Sequence, residues 1–193
     1  MMLPNAALEA AHLIDRLDRL ARNGEVSGDL NPAQWEALRF VSRANRFSRT
    51  PAALAEYLGS TRGTVSQTLI ALEKKGCITR EESPRDRRSI MLELTAAGQR
   101  LLRDDPLRAL ASDLAKSAPE RLEDIVDMLR GTLLALLARN GGRPFGACYT
   151  CRHFASGGGS SARAAHRCKL LDEGLSESDS RAICVEQAPA AAS

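Results

Sequence analysis

The chain has 193 residues, with 27 Lys and Arg against 24 Asp and Glu, 44% hydrophobic residues and only 4% aromatic. That length suits one domain plus an appendage, the composition excludes a disordered chain, and no apolar run reaches the roughly 18 residues that a membrane span needs. A net charge of +3 is too small to identify a polyanionic partner by itself, so the placement of the charges must decide, and the shortage of aromatics favours helices built on Ala and Leu over a β-sandwich.

Residues 5–22 place Leu13, Ile14, Leu17, Leu20 and Ala21 at helical spacing on one face, and Gly24, Gly28 and Asp29 end the segment. This opening lacks a basic start followed by an unbroken apolar stretch, so it is not a signal peptide, and a cytoplasmic protein is expected. In NPAQWEALRFVSRAN, Asn31 is a helix cap, Pro32 suits the first turn, and Trp35, Leu38 and Val41 face inward. TPAALAEYLG repeats the logic, with Thr50 as cap, Leu54 and Leu58 inward and Gly59 as terminator. STRGTVSQTLIALEKKG predicts a helix from Ser60 to Lys75 with Val65, Leu69 and Leu72 inward and Gly76 at its end.

The pattern then changes to two short strands, Cys77–Glu82 and Ser89–Leu94, joined by the basic tip SPRDRR. Cys77 stands where an apolar residue is expected and is taken as a small buried filler. Thr95 caps a helix reaching about Ala115, with a kink or break expected at Pro106. In APERLEDIVDMLRGTLLALLARN, Leu122, Ile125, Val126, Leu129, Leu133, Leu136 and Leu137 form a broad apolar stripe that Gly141 and Gly142 close. SGGGSS at 156–161 is a flexible insert, and APAAAS is expected to be disordered.

Helix, glycine turn, helix and basic hairpin, in that order, predict a mainly α fold with a small β-hairpin wing: a winged helix-turn-helix flanked by a helical dimerisation region. With Val65, Leu69 and Leu72 inward, the second helix turns Ser60, Gly63, Gln67 and Lys74 outward, with Thr64 and Ser66 on the flanks and Thr61 and Arg62 at its start. Short polar side chains reach phosphates and base edges, Gln pairs bidentately with adenine, and Gly63 lets the helix approach closely. Arg85, Arg87 and Arg88 at the wing tip suit a narrow, electronegative minor groove, with Asp86 pairing to a neighbouring arginine. Double-stranded DNA is the expected partner. No nucleophile–base pairing and no phosphate loop points to an enzyme.

These residues carry a resemblance. TPAALAEYLGSTRGTVSQTLIALEKKGCITREESPRDRRSIMLELTAAG, residues 50–98, resembles the MarR family of winged helix-turn-helix regulators in its Ser- and Thr-rich recognition helix, its LEKKG exit, its DRR wing and its LT-x-x-G helix start. With the flanking helices the resemblance spans about residues 5–139. Ser83 departs from the acidic residue common beside the wing proline, and Pro106 interrupts a helix that normally runs on. The resemblance implies a homodimer with intertwined terminal helices, two winged domains reading a palindrome, and a pocket for a small-molecule effector between the dimer helices and the winged domain. The leucine-rich stripe at 122–137 independently suits a dimer. The expected division is 1–30 with 95–140 for dimerisation, 31–94 for DNA, 141–187 for a cysteine-rich extension and 188–193 as a disordered tail.

That extension holds Cys148, Cys151, Cys168 and Cys184, spaced C-x2-C-x16-C-x15-C. Four thiolates close a tetrahedral site, and a segment with too few apolar residues for its own core needs such a staple. Zinc, an iron–sulfur cluster and redox disulfides all remain open from the spacing, with zinc the commonest outcome. His153 and His166 lie close enough in sequence to replace a cysteine. Standing just past the last helix, the metal site is expected to act on the dimer helices. The functions this leaves are a DNA-binding repressor whose tail senses or stabilises, and a protein-interaction module with a zinc-stapled tail.

Overall fold

Capping chemistry sets the helix boundaries. Asn31 accepts from the Gln34 N–H while Gln34 returns a bond to the Asn31 N–H, which opens α2 at Pro32–Arg43 with Pro32 in its first turn. Thr50 accepts from the Ala53 N–H to start α3, Pro51–Leu58, and Gly59, at φ 58°, ends it in the left-handed conformation that glycine adopts without strain. Thr61 caps α4, Arg62–Lys74, so Ser60 and Thr61 precede the recognition helix rather than forming its first turn. The computed structural model describes residues 4–23, 30–83, 89–158 and 164–189. Gly24, Gly28, Asp29 and the wing tip Pro84 to Arg88 therefore lie outside the described residues.

The chain order is α1 (Asn5–Asn23), α2, α3, α4, β1 (Ile78–Glu82), β2 (Ile90–Leu94), α5 (Ala96–Arg103), α6 (Leu107–Ser117) and α7 (Leu122–Arg139), followed by the cysteine-rich extension. β1 and β2 pair antiparallel with Ile78 opposite Leu94 and Glu82 opposite Ile90. The core of the winged lobe is Leu38, Phe40, Val41, Leu54, Val65, Leu69, Leu72, Ile78 and Leu92, all buried. Cys77 is buried there too, as a filler. The helices expected from the sequence to dimerise behave differently. α6 and α7 bury no residue, and no described side chain of α1 is buried.

The winged lobe is joined tightly to α5. Thr95 donates its hydroxyl to the Gly76 carbonyl and its N–H to the Cys77 carbonyl, and accepts from the Gly98 N–H as the cap of α5. A Cβ on Gly98 would stand 2.2 Å from the Cys77 carbonyl oxygen, so the glycine of LT-x-x-G is required by close approach. The helix then breaks at Asp104 to Pro106, as Pro106 predicts. The break presents Asp105 to Arg39 on α2, whose Nε donates to its Oδ2 at 2.8 Å, while its Oδ1 accepts from the Leu107 N–H.

Burial pushes the Asp105 carboxyl up, but the Arg39 bonds, the Leu107 N–H and the charges of Arg39 and Arg108 outweigh it and hold the group below its usual range. A carboxyl so lowered contributes stability that is present in full above its unfolded value of about 3.9 and is lost as pH falls through the folded value. Asp105→Asn is therefore expected to lose about 2 kcal/mol of stability at neutral pH in denaturant unfolding, and the gap from the wild type should close under strongly acidic conditions. A gap that stays constant with pH would show that the charge of Asp105 is not what matters.

The extension is built from a 3-10 turn at Cys148–Thr150, a three-stranded sheet in the order β3 (Phe154–Ala155), β4 (His166–Cys168) and β5 (Glu173–Leu175), and a short helix α8 (Glu177–Arg181) capped by Ser176. It does not hang free beyond α7. Phe145 and Ile183 belong to the buried core of the winged lobe. The Phe145 ring meets Phe40 and Tyr57 edge-on at 6.2 and 5.3 Å between centroids, and its φ of 44° is a strained conformation for an aromatic residue. Ordered structure continues past the expected end at residue 187, because Ala188 bonds to Cys151 and Arg152 and Pro189 pairs with Cys151.

Candidate functional site

Two groups of residues carry the chemistry. The first is the outer face of α4. Val65, Leu69 and Leu72 are buried, and this turns Thr61, Arg62, Gly63, Thr64, Gln67 and Lys74 to solvent, with Ser60 and Ser66 half-buried beside them. Thr61 Oγ1 and Thr64 Oγ1 are 2.9 Å apart, and Thr68 Oγ1 donates to the Thr64 carbonyl. No neighbour stands within 3.4 Å of a Cβ placed on Gly63, so its space is open on the outer side. Arg62, in the first turn of α4, is exposed. The wing arginines Arg85, Arg87 and Arg88 and the Asp86 pairing fall outside the described residues.

The second group is the cysteines. The 3-10 turn closes C-x-x-C through the Cys151 N–H, which donates to the Cys148 carbonyl at 2.9 Å. An antiparallel bridge between Ala147 and Ile183 sets Cys148 beside Cys184, and β4 delivers Cys168 opposite Phe154. Cys148, Cys151, Cys168 and Cys184 line one cavity of about 20 Å³, together with His153, Phe154, Leu170, Leu175 and Glu186. Asn45 Nδ2 donates to Cys148 Sγ at 3.3 Å, and the Ala188 N–H donates to Cys151 Sγ at 3.4 Å. Such N–H donors stabilise a thiolate. Among the described residues, no group of three or more His, Cys, Asp or Glu side chains is arranged, as it stands, to hold a metal ion. By donor type, four sulfurs are what a thiophilic ion takes, and the cavity they line has room for about one water-sized atom.

Cys148 and Cys184 share a hydrogen bond. That bond pulls the Cys184 thiol down to about 6 against the effect of burial, helped by Asn45, the Glu186 N–H and Ser48. The same bond, and then burial, push the Cys148 thiol far above the usual thiol range.

His166 is not among the residues lining this cavity. Its ring packs against Phe154 at a tilt of 44°, and its Nε2 meets Glu177 Oε2 at 2.9 Å, which lowers the Glu177 carboxyl. His153 does line the cavity, and its Nε2 accepts from Arg152 Nε.

The family model described as MarR family matches residues 28–89. A putative transcriptional regulatory protein for the hcr operon of Thauera aromatica is 31% identical over 121 residues, which covers 63% of this chain and 69% of that protein. The chain belongs to the MarR family. The transcriptional repressor MprA of Escherichia coli K12 is 33% identical over 110 residues, 54% of this chain and 62% of MprA, so the chain spans less than two thirds of that relative's length. The fold of this MarR protein is shared with Streptococcus pneumoniae FabT, solved in complex with DNA, at a TM-score of 0.53 and 23% identity over 70% of this chain and 96% of FabT. The family match ends before the four tail cysteines.

Sequence reasoning missed the seat of the extension in this MarR chain. Ile183 donates its N–H to the Arg43 carbonyl and accepts from the Asn45 N–H, both at 2.9 Å. The Val185 N–H donates to Ser48 Oγ, and Arg46 reaches Asp179 and the Gly174 carbonyl. These bonds seat the extension on the α2–α3 connection, whereas its position in the sequence had suggested the helices expected to dimerise. A further cavity, of about 660 Å³, opens where the wing faces the extension, with Phe47, Met91, Leu171 and Val185 among its lining residues. No helix among the described residues is long and apolar enough to cross a membrane.

Proposed function

We propose that this protein is a homodimeric, DNA-binding transcriptional repressor that reads a palindromic operator and carries one zinc ion on Cys148, Cys151, Cys168 and Cys184. The observation that carries the DNA reading is the outer face of α4, where Arg62, Gly63, Thr64, Gln67 and Lys74 stand exposed opposite a fully buried apolar face. Gln67 reads a base edge, Arg62, Thr64 and Lys74 hold phosphates, and Gly63 lets the helix sit deep. Ser60, Thr61 and Ser66 add phosphate contacts at the rim of the same face, and contacts to the neighbouring minor groove are assigned to Arg85, Arg87 and Arg88 from the sequence alone. The name of MprA and the DNA complex of FabT support the same reading.

The dimer rests on the exposed apolar residues of α1 and α7, which a monomer would leave in water. Zinc rather than an iron–sulfur cluster is favoured by the small cavity among four sulfurs. When bound, such an ion supplies a structural cross-link. Asn45 and the Ala188 N–H hold the sulfur charge, and Leu175 and Phe154 exclude water.

The decisive measurement is DNA binding as a function of salt. The wild type should bind at low salt with a steep decline, Gln67→Ala should lose about 10- to 100-fold for its preferred duplex and little for random DNA, and Arg62→Ala should reduce the logarithmic salt slope by about 1. No binding at low salt would remove the regulator reading.

A further inference from the structure

The α2–α3 connection, residues 44–49, faces two ways. Toward the extension, Asn45 Nδ2 donates to Cys148 Sγ and Ser48 Oγ accepts from the Val185 N–H. Ala44 pairs with Ile183, and Phe47 packs on the cluster of Cys148, Leu175 and Cys184. Toward the DNA-reading lobe, Asn45 Oδ1 accepts from the Phe47 and Ser48 N–H groups and so shapes the turn into α3. The Arg49 carbonyl accepts from Leu92 N–H on wing strand β2, and Arg49 Nη1 meets Glu93 Oε2, both at 2.8 Å.

Asn45 and Ser48 are 2% and 0% exposed. Buried polar side chains cost free energy unless they are paired, and here the outward partners are groups of the cysteine extension. The two backbone N–H donors fix the Asn45 amide, so that its nitrogen and not its oxygen faces the sulfur.

We propose that Asn45, supported by Ser48, relays the occupancy of the four-cysteine site to the helix-turn-helix, so that the bound ion holds the α2–α3 turn and the wing strand in their DNA-reading arrangement. This rests on the regulator and zinc readings above. With the ion in place, Cys148 is a fixed thiolate that accepts the Asn45 N–H. Without it the extension loses its cross-link, Asn45 and Ser48 lose their partners, and the turn that seats α3 and β2 loosens. Asn45 is a positioning residue that touches neither DNA nor the ion.

Coupling of this kind is reciprocal: the factor by which zinc tightens DNA must equal the factor by which DNA tightens zinc. The test uses the full-length dimer and a duplex enriched from a random pool by zinc-loaded protein. Zinc affinity is read by competition with a chromogenic chelator, and DNA affinity by anisotropy. Removing zinc from the wild type should weaken DNA binding by about 10-fold or more, and the duplex should raise zinc affinity by the same factor.

Asn45→Asp keeps the oxygen that shapes the turn and sets a carboxylate against the sulfur. It should lower zinc affinity by about 10- to 100-fold and shrink the zinc effect on DNA toward unity. Ser48→Ala should shrink the coupling in the same direction. A wild type that binds DNA equally with and without zinc overturns the relay while leaving the regulator intact, and so does an Asn45→Asp protein that retains the full wild-type factor. A wild type that takes up no zinc overturns the relay together with the zinc reading, and a loaded protein that enriches no duplex removes the regulator reading beneath both.

Discussion

Leu133→Glu is expected to leave the protein monomeric in light scattering and to weaken binding to a two-half-site duplex by at least about 100-fold, with little change in helix content. Leu133 on α7 is 52% exposed and lies among Val126, Met128, Leu129, Leu134 and Leu136, all similarly open. On α1, Leu13, Ile14, Leu17 and Leu20 form a second such face. Each leucine taken out of water contributes roughly 1.5–3 kcal/mol, and a carboxylate in its place would be buried unpaired on both sides of the symmetric contact. Loss of the dimer costs the second half-site its effective concentration, which is why the DNA effect should far exceed that of any one contact on α4. A Leu133→Glu protein that remains dimeric and binds normally would place the dimer contact elsewhere.

The second large effect is expected from Cys148→Ser combined with Cys168→Ser. On the zinc reading proposed above, the metal content should fall from about one ion per chain to almost none, since two sulfurs of four are removed. The consequence for stability distinguishes a shared core from an appendage. Phe145 and Ile183 pack within the winged lobe, so disordering the extension strips contacts from Phe40, Tyr57 and Ala44. The melting of the winged lobe itself should therefore move to lower temperature by several degrees. An unchanged main transition, with only a small early one lost, would mean that the extension folds independently of the lobe.

Much of the winged lobe was legible in the sequence because its signals are local. Asn31 and Thr50 announce their helices, the Val65, Leu69 and Leu72 spacing orients α4, and Pro106 marks the break before α6. Thiols at such spacing in a segment poor in apolar residues suggested a common partner; the four cysteines do line one cavity, but among the described residues no group of three or more His, Cys, Asp or Glu side chains is arranged to hold a metal ion. The docking of the extension was not legible. Asn45 and Ser48 sit in a polar loop where solvent exposure is the ordinary expectation, and their partners lie more than a hundred residues away. Phe145 offered one signal, an aromatic residue in a chain with only four phenylalanines. No periodic pattern states which surface such a ring enters, and its left-handed backbone is invisible to propensity. The extra contribution of Asp105, a side chain that turns a helix break into an ion pair, was hidden for the same reason.

The pairing of Asn45 with Cys148 and of Ser48 with Val185 spans 103 and 137 residues of chain. Contacts of such separation form late, because the chain between them must first be ordered, whereas the α2–α3–α4 contacts are close in sequence and form early. The attachment of the extension is thus expected to follow the helix-turn-helix in folding. On the zinc reading proposed above, the ion would be needed for the last of these contacts to hold, so the rate at which DNA-binding protein is recovered on refolding should rise with zinc concentration.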